Sequence, residues 1–119
     1  MTASHESLGK LVIIVDDDED QRSEMLFSVE ALGFRGLAFA TGEEMLGALL
    51  DEPPHVVLLD INLYARDGIR IAEMATHLNH KVRICLLSGS AERCREARDR
   101  QLGEVFEKPV SLELLRHIL

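Results

Sequence analysis

The sequence is short of basic residues, cysteines and long apolar segments, and each shortage argues against a class of function. The chain contains 13 Lys and Arg residues and 21 Asp and Glu residues, which gives a net charge of −8. This balance argues against direct nucleic-acid binding, because phosphate neutralisation needs clustered basic side chains. Two cysteines, Cys85 and Cys94, lack the spacing of a metal or redox site. We therefore expect packing thiols, one in a strand and one in a helix, in a reducing cytoplasm.

The chain of 119 residues is long enough for one hydrophobic core, and it contains no repeat, low-complexity tract or linker. A single domain over residues 1–119 is the expectation, with residues 1–9 as a flexible N-terminus. Residues 1–9 lack the basic-then-apolar order of a signal peptide, and no apolar run reaches the length of a membrane span. The predicted location is the cytoplasm, without membrane contact.

Short apolar runs alternate with amphipathic segments along the chain. The runs at 11–15, 56–59 and 82–87 are typical of strands that are buried on both faces of a parallel sheet. Weaker strands are predicted at 34–39 and 104–106, and helices at 18–32, 41–50, 68–78, 91–102 and from residue 111 onward. Five strands alternating with five helices predict a doubly wound α/β fold with a parallel sheet of order 2-1-3-4-5.

Polar residues follow four of these strands. They are Asp16 and Asp17, Asp60, Ser88 and Lys108. Strands 1, 3, 4 and 5 are neighbours in the predicted order, so these side chains should meet at one edge of the sheet. Close carboxylates repel one another unless a cation such as Mg²⁺ intervenes. An aspartate can act as a nucleophile there, with the metal and a lysine neutralising the oxygens of a transferred phosphoryl group.

In this order and at these strand ends, the motifs resemble those of response-regulator receiver domains of two-component systems. The matching motifs are Asp16-Asp17, Asp60-Ile61-Asn62, Asp67-Gly68, Ser88-Gly89 and Lys108-Pro109. The resemblance covers nearly the whole chain and implies a flavodoxin-like (βα)5 fold, as in chemotaxis regulators. It implies that Asp60 accepts a phosphoryl group. It also implies that Asp17, Asp60 and the main-chain carbonyl of Asn62 bind Mg²⁺ directly, and that Asp16 acts through water.

The resemblance also assigns roles around the phosphoryl group. Ser88 would hydrogen-bond a phosphoryl oxygen, with Gly89 in the same switch segment, and Lys108 would pair with the phosphoryl group. The Lys108–Pro109 bond is expected to be cis, a geometry found in only about 5–6% of X-Pro bonds.

The implied protein is a signalling phosphoacceptor and not an enzyme, apart from self-catalysed phosphotransfer and autodephosphorylation. The implied partners are a sensor histidine kinase or phosphotransfer protein and a downstream effector. A homodimer is left open, as is the choice between a single-domain regulator and a fragment of a longer one.

The sequence departs from the family at three places. Receivers usually carry an aromatic residue three positions before the lysine, where this chain has Val105; the neighbouring Phe106 should point to the opposite face. Both are candidates for the output face. Tyr64 replaces the usual proline after the third strand. The helix at 91–102 is poor in apolar residues, which predicts a mobile fourth helix.

Two other functions are compatible with parts of the sequence. A phosphatase of the haloacid-dehalogenase type also uses an aspartate after an apolar strand, but it needs a second acid where this chain has Asn62, which cannot act as a general acid. A phosphorylation-independent interaction module is the other alternative, and the complete acidic set with Ser88 and Lys108 argues against it.

Asp18 and two histidines have simpler structural explanations. Asp18 is predicted to be a helix N-cap, with a metal-ligand role as the alternative. His77 and His80 lie three residues apart, but no third ligand is evident and solvated surface residues are the expectation.

Overall fold

The structure, a computed structural model, describes residues 9–63 and 67–119. The expectations for residues 1–8 and for Tyr64 lie outside these ranges. The strands are β1 (Leu11–Val15), β2 (Arg35–Phe39), β3 (Val56–Asp60), β4 (Ile84–Ser88) and β5 (Glu104–Glu107). The helices are α1 (Glu19–Ala31), α2 (Gly42–Asp51), α3 (Gly68–Leu78), α4 (Ala91–Arg100) and α5 (Leu112–Ile118).

The strands form one parallel sheet in the order β2-β1-β3-β4-β5, which confirms the predicted topology. Every residue of β1, β3 and β4 is buried, as their unbroken apolar runs require when helices cover both faces. Successive side chains alternate between two core layers. Ile13 packs with α2, α3 and Ala97 of α4 on one face, whereas Ile14 packs with α1 and α5 on the other.

Each helix begins at a side chain that accepts a hydrogen bond from a backbone N–H of the first turn. These N-caps are Asp18, Thr41, Asp67, Ser90 and Ser111. Caps of this kind satisfy donors that the helix itself leaves unpaired, and they fix where the chain turns after a strand. Asp67 and Ser90 therefore start α3 and α4 directly above the carboxyl edge of the sheet.

Several element boundaries differ from the prediction by one or two residues, among them the carboxyl ends of β3, β4 and α4. β3 and β4 each extend one residue further, so that Asp60 and Ser88 are the last residues of their strands and not the first residues beyond them. The hydrogen-bonded ladder continues because Asp60 pairs with Leu87 and Ser88 with Glu107. The fourth helix ends at Arg100 and not at residue 102, because Gln101 takes a left-handed conformation with φ 54°.

The minor assignments of side chains are confirmed. Cys85 and Cys94 are both buried and free, the first in β4 and the second in α4. Asp18 is an exposed N-cap of α1, and His77 and His80 are exposed. In the described ranges, no helix combines the length and apolar character that a membrane crossing requires.

Candidate functional site

Asp60 lies at the carboxyl end of the central strand with only 7% of its surface exposed, and Asp16 beside it is equally buried. The two are neighbours because β1 and β3 pair directly and both end at this edge. The turn after β1 is held by hydrogen bonds between side chains and the backbone. Asp16 accepts a hydrogen bond from the Asp18 N–H (2.9 Å), and its carbonyl accepts one from Arg22 (2.9 Å).

Three carboxylates meet at this point. Asp16, Asp17 and Asp60 each offer one oxygen, and these oxygens lie within 4.8 Å of one another. Hard divalent cations prefer such oxygen ligands, and Mg²⁺ in particular is held by a few carboxylates together with water and phosphate oxygens. The donor set therefore fits Mg²⁺. Asp18 does not belong to this cluster, because its carboxylate caps α1.

The environment of Asp60 shifts its protonation equilibrium. Burial raises the pKa of Asp60 above its ordinary value, since a charged carboxylate loses solvation there. The Asn62 N–H, which donates to Asp60 Oδ1 at 3.0 Å, and the Lys108 ammonium both lower this pKa but do not cancel the rise. A cation close to Asp60 would favour the charged form, which is the form that can act as a nucleophile.

Lys108 reaches the acidic cluster from the end of β5. Its Nζ lies 3.4 Å from Asp60 Oδ2 and 3.3 Å from Asp16 Oδ2. The backbone N–H of Lys108 donates to the Ser88 carbonyl (2.8 Å), and the Lys108–Pro109 bond is cis. The third partner of Nζ is Gln21 Oε1, at 2.8 Å. Sequence reasoning did not identify Gln21, because no pattern distinguishes it from a solvated helix residue.

Ser88 is fully buried beside Asp60, and its hydroxyl oxygen accepts two hydrogen bonds. The donors are Asn62 Nδ2 (3.2 Å) and the Ser90 N–H (3.0 Å). Ser90 is the N-cap of α4, so the hydroxyl joins the loop after β3 to the start of α4. Gly89 between them is exposed, and a side chain there would meet no neighbouring atom within 4 Å.

Close packing against the backbone explains the glycine of the Asp67-Gly68 motif. The Gly68 N–H donates to the Ile61 carbonyl (2.8 Å), which brings the start of α3 against the end of β3. A Cβ at Gly68 would lie 2.5 Å from the Asp60 carbonyl oxygen and 2.6 Å from Ile61 Cα. Only glycine fits this close approach without moving the backbone of Asp60.

Val105 and Phe106 lie apart from this cluster. Val105 packs into the core layer of α2 and α3, and Phe106 packs into the layer of α1 and α5, as strand alternation predicts. The structure thus brings together Asp16, Asp17, Asp60, Asn62, Ser88 and Lys108 from the predicted site. No aromatic side chain occupies the face on which Val105 lies in β5.

Comparisons with known proteins agree on one family. The family model of the response regulator receiver domain matches residues 12–119. The probable chemotaxis protein CheY of Rhizobium etli is 30% identical over 88% of this chain and 85% of its own length. The autoinducer 1 sensor kinase/phosphatase LuxN of Vibrio harveyi is 29% identical over 91% of this chain, which spans only 13% of that protein.

Solved structures show the same architecture. The chemotaxis protein CheY4 of Vibrio cholerae superposes with a TM-score of 0.83 at 20% identity, covering 92% of this chain and 95% of that one. A CheY-like receiver domain of Methanospirillum hungatei gives 0.83 at 26% identity, covering 92% and 90%.

Proposed function

The chain belongs to the response regulator receiver domain family of two-component systems, and within that family we propose that Asp60 is its phosphoacceptor. One observation carries the proposal: Asp60 ends the strand between β1 and β4, so it lies in the carboxylate cluster, beside the strand that ends in Ser88, and 3.4 Å from the Lys108 ammonium. Asp16 shares the cluster and lies 3.3 Å from the same ammonium, but its strand does not border β4. A nucleophile needs cationic and hydrogen-bonding neighbours, because phosphoryl transfer brings a highly charged group against a carboxylate.

In the proposed reaction, a carboxylate oxygen of Asp60 forms a bond to phosphorus while the bond from phosphorus to the donor's leaving group breaks. Lys108 pairs with the phosphoryl oxygens, and the buried position of Asp60 limits access of water. Asp17, Asp60 and the main-chain carbonyl of Asn62 would hold Mg²⁺ directly, with Asp16 acting through water. The metal, when bound, neutralises charge on the transferred oxygens.

After transfer, Ser88 is the proposed hydrogen-bond donor to the phosphoryl group. Its oxygen already accepts two hydrogen bonds, so its proton is the part of the hydroxyl left to donate. A hydroxyl that turns toward the phosphoryl group would weaken its bond to the Ser90 N–H, and the open position of Gly89 leaves room for this loop to move. We propose that this step carries the signal to α4, because Val105 offers no aromatic side chain for the task.

The proposed partners follow from this chemistry. A sensor histidine kinase or a phosphotransfer protein supplies the phosphoryl group, and a downstream effector binds the altered α4 surface. We propose that residues 1–119 act as one receiver domain, with phosphotransfer and autodephosphorylation catalysed by the domain itself. The phosphatase alternative is not favoured, because Asn62 occupies the place of the second acid and its amide binds Ser88.

The test is incubation of the protein with acetyl phosphate and Mg²⁺, followed by intact mass measurement. We expect the wild type to gain one phosphoryl group and Asp60→Asn to gain none. Asp51→Asn is the matched control, since Asp51 is exposed at the end of α2 and lies outside the carboxylate cluster. An adduct that survives Asp60→Asn would overturn the proposal.

A further inference from the structure

We propose that Gln21 is a positioning residue for phosphoryl transfer, and that it acts by holding the Lys108 ammonium at the mouth of the site. The inference rests on the proposed roles of Asp60 and Lys108. The shortest polar contact of Lys108 Nζ is with Gln21 Oε1, at 2.8 Å. Its distances to the carboxylates of Asp16 and Asp60 are longer, 3.3 and 3.4 Å.

A lysine side chain needs such a contact to fix the position of its ammonium group. Its ammonium lies at the end of a flexible four-carbon stem and has three protons to donate. Gln21, Asp16 and Asp60 supply three acceptors, from α1 and from the ends of β1 and β3. Hydrogen bonds from an ammonium are charge-assisted and stronger than those between neutral groups. Gln21 therefore restricts where the ammonium can go.

Gln21 is itself held in place by the turn that carries the acidic residues. Its backbone N–H donates to Asp18 Oδ1 (3.0 Å), and the Asp18 N–H donates to Asp16 Oδ1 (2.9 Å). The anchor of the lysine and the carboxylate beside Asp60 thus belong to one local unit at the start of α1.

The chemical type of Gln21 suits the reaction. When Asp60 becomes an acyl phosphate, negative charge moves from its carboxylate to the phosphoryl oxygens, which the ammonium then faces. A neutral amide accepts a hydrogen bond from the ammonium without competing for its positive charge as a carboxylate would. It also adds no negative charge to a site that already contains three carboxylates. A fixed cation lowers the barrier because it needs no reorganisation when the phosphoryl group arrives.

The test compares Gln21→Met with the wild type at saturating Mg²⁺, using acetyl phosphate as the donor. Met has similar length and helix propensity but accepts no comparable hydrogen bond, and Gln21 is exposed, so the fold should persist. We expect phosphorylation to slow by about threefold to tenfold, since small displacements of a catalytic group reduce rates strongly. Ser23→Met, at an exposed neighbouring position of α1, is the matched control and should react as the wild type does.

A second readout reports on the lysine itself. The lysines of the chain are Lys10, Lys81 and Lys108, so a spectrum of protein with ¹⁵N-labelled lysine contains few ammonium signals to assign. We expect the Lys108 ammonium signal to broaden or shift in Gln21→Met, with Lys10 and Lys81 as internal references. Circular dichroism checks that both variants are folded.

Two outcomes overturn the inference. One is a wild-type rate in Gln21→Met; the other is a reduced rate with an unchanged Lys108 signal, because Gln21 would then not act through the lysine. In both cases the wild type and Ser23→Met still take up the phosphoryl group, so the proposed function stands. If the wild type takes up no phosphoryl group, the proposed function itself fails.

Discussion

The carboxylate of Asp60 lies where the loss of solvation disfavours its charged form. Its carboxylate is almost fully buried, and the hydrogen bond from Asn62 and the ammonium of Lys108 compensate only in part for the lost solvation. Because its pKa in the folded protein is raised, the folded state binds a proton more readily than the unfolded state. The contribution of Asp60 to the free energy of unfolding is therefore lost as the pH rises through the folded-state pKa. Above that pH, the buried charge lowers the stability of the fold.

Replacing Asp60 with Asn should consequently raise the free energy of unfolding of the metal-free protein at pH 7. The expected gain is on the order of 1 kcal/mol, a usual size for the effect of one substitution. Asn is nearly isosteric and removes the buried charge. The gain should shrink as the pH falls toward 3.8, the ordinary pKa of this carboxyl group, because the raised pKa of Asp60 favours its neutral form in the folded state. Urea unfolding at several pH values, without divalent cations, measures both effects. Asp18→Asn serves as the control, and a gain of equal size there would contradict the explanation.

Asp60 and Ser88 were identifiable because each ends a buried apolar strand, where a polar side chain stands out in the sequence. Lys108 follows the partly exposed strand β5 and was identified by its place at a strand end before a proline. Gln21 has no such context, because a glutamine in an exposed helical turn looks the same whether or not a lysine reaches it. That lysine lies 87 positions further along the chain, and only the folded sheet brings the two together.

The fourth helix buries less apolar surface than α3. Its fully buried side chains are those of Cys94 and Ala97, both small, whereas α3 buries two isoleucines and two alanines. Arg93 pairs with Asp67 and Arg100 with Glu73, and all four side chains are substantially exposed. Ion pairs of this kind contribute about 0–1 kcal/mol each. The helix that begins beside Ser88 should therefore move at a lower free-energy cost than α3.

Amide hydrogen exchange should show this difference directly. We expect amides in the interior of α4 to exchange at least about tenfold faster than those of α3, because few buried apolar contacts mean a low free energy of local opening. Both helices belong to the same molecule, so α3 serves as the control for global unfolding. Equal protection of the two helices would contradict the expectation and would weaken the proposed route of the signal from Ser88 to α4.

The sequence predicted the helices and strands well where one physical pattern dominated. The apolar runs of β1, β3 and β4 located the sheet, and strand alternation placed Val105 and Phe106 on opposite faces. The end of α4 was predicted two residues too late. Gln101 stops the helix in a left-handed conformation that glycine or asparagine usually adopts, so its side chain gives no signal.

The site as a whole exists only in the folded chain. The side chains of Asp16 and Lys108 approach to 3.3 Å although they are separated by 92 positions in the sequence. The strands β3 and β4 lie between β1 and β5 and add Asp60 and Ser88 to the site. Folding also concentrates three carboxylates within a chain whose net charge is already −8. A cation that binds this cluster binds the folded state and not the unfolded one, so it must stabilise the fold.

We therefore expect Mg²⁺ to raise the midpoint of thermal unfolding. Saturation at about 100 times the dissociation constant adds roughly 2.7 kcal/mol, which corresponds to a rise on the order of 10 °C for a domain of this size. Asp17→Asn should lose most of this shift, because it removes one of the three clustered carboxylates. Glu113→Gln removes the same charge from the exposed start of α5 and should keep the shift. Differential scanning calorimetry at matched ionic strength separates the two cases; equal shifts in both variants would mean that Mg²⁺ acts on the overall negative charge and not at Asp17.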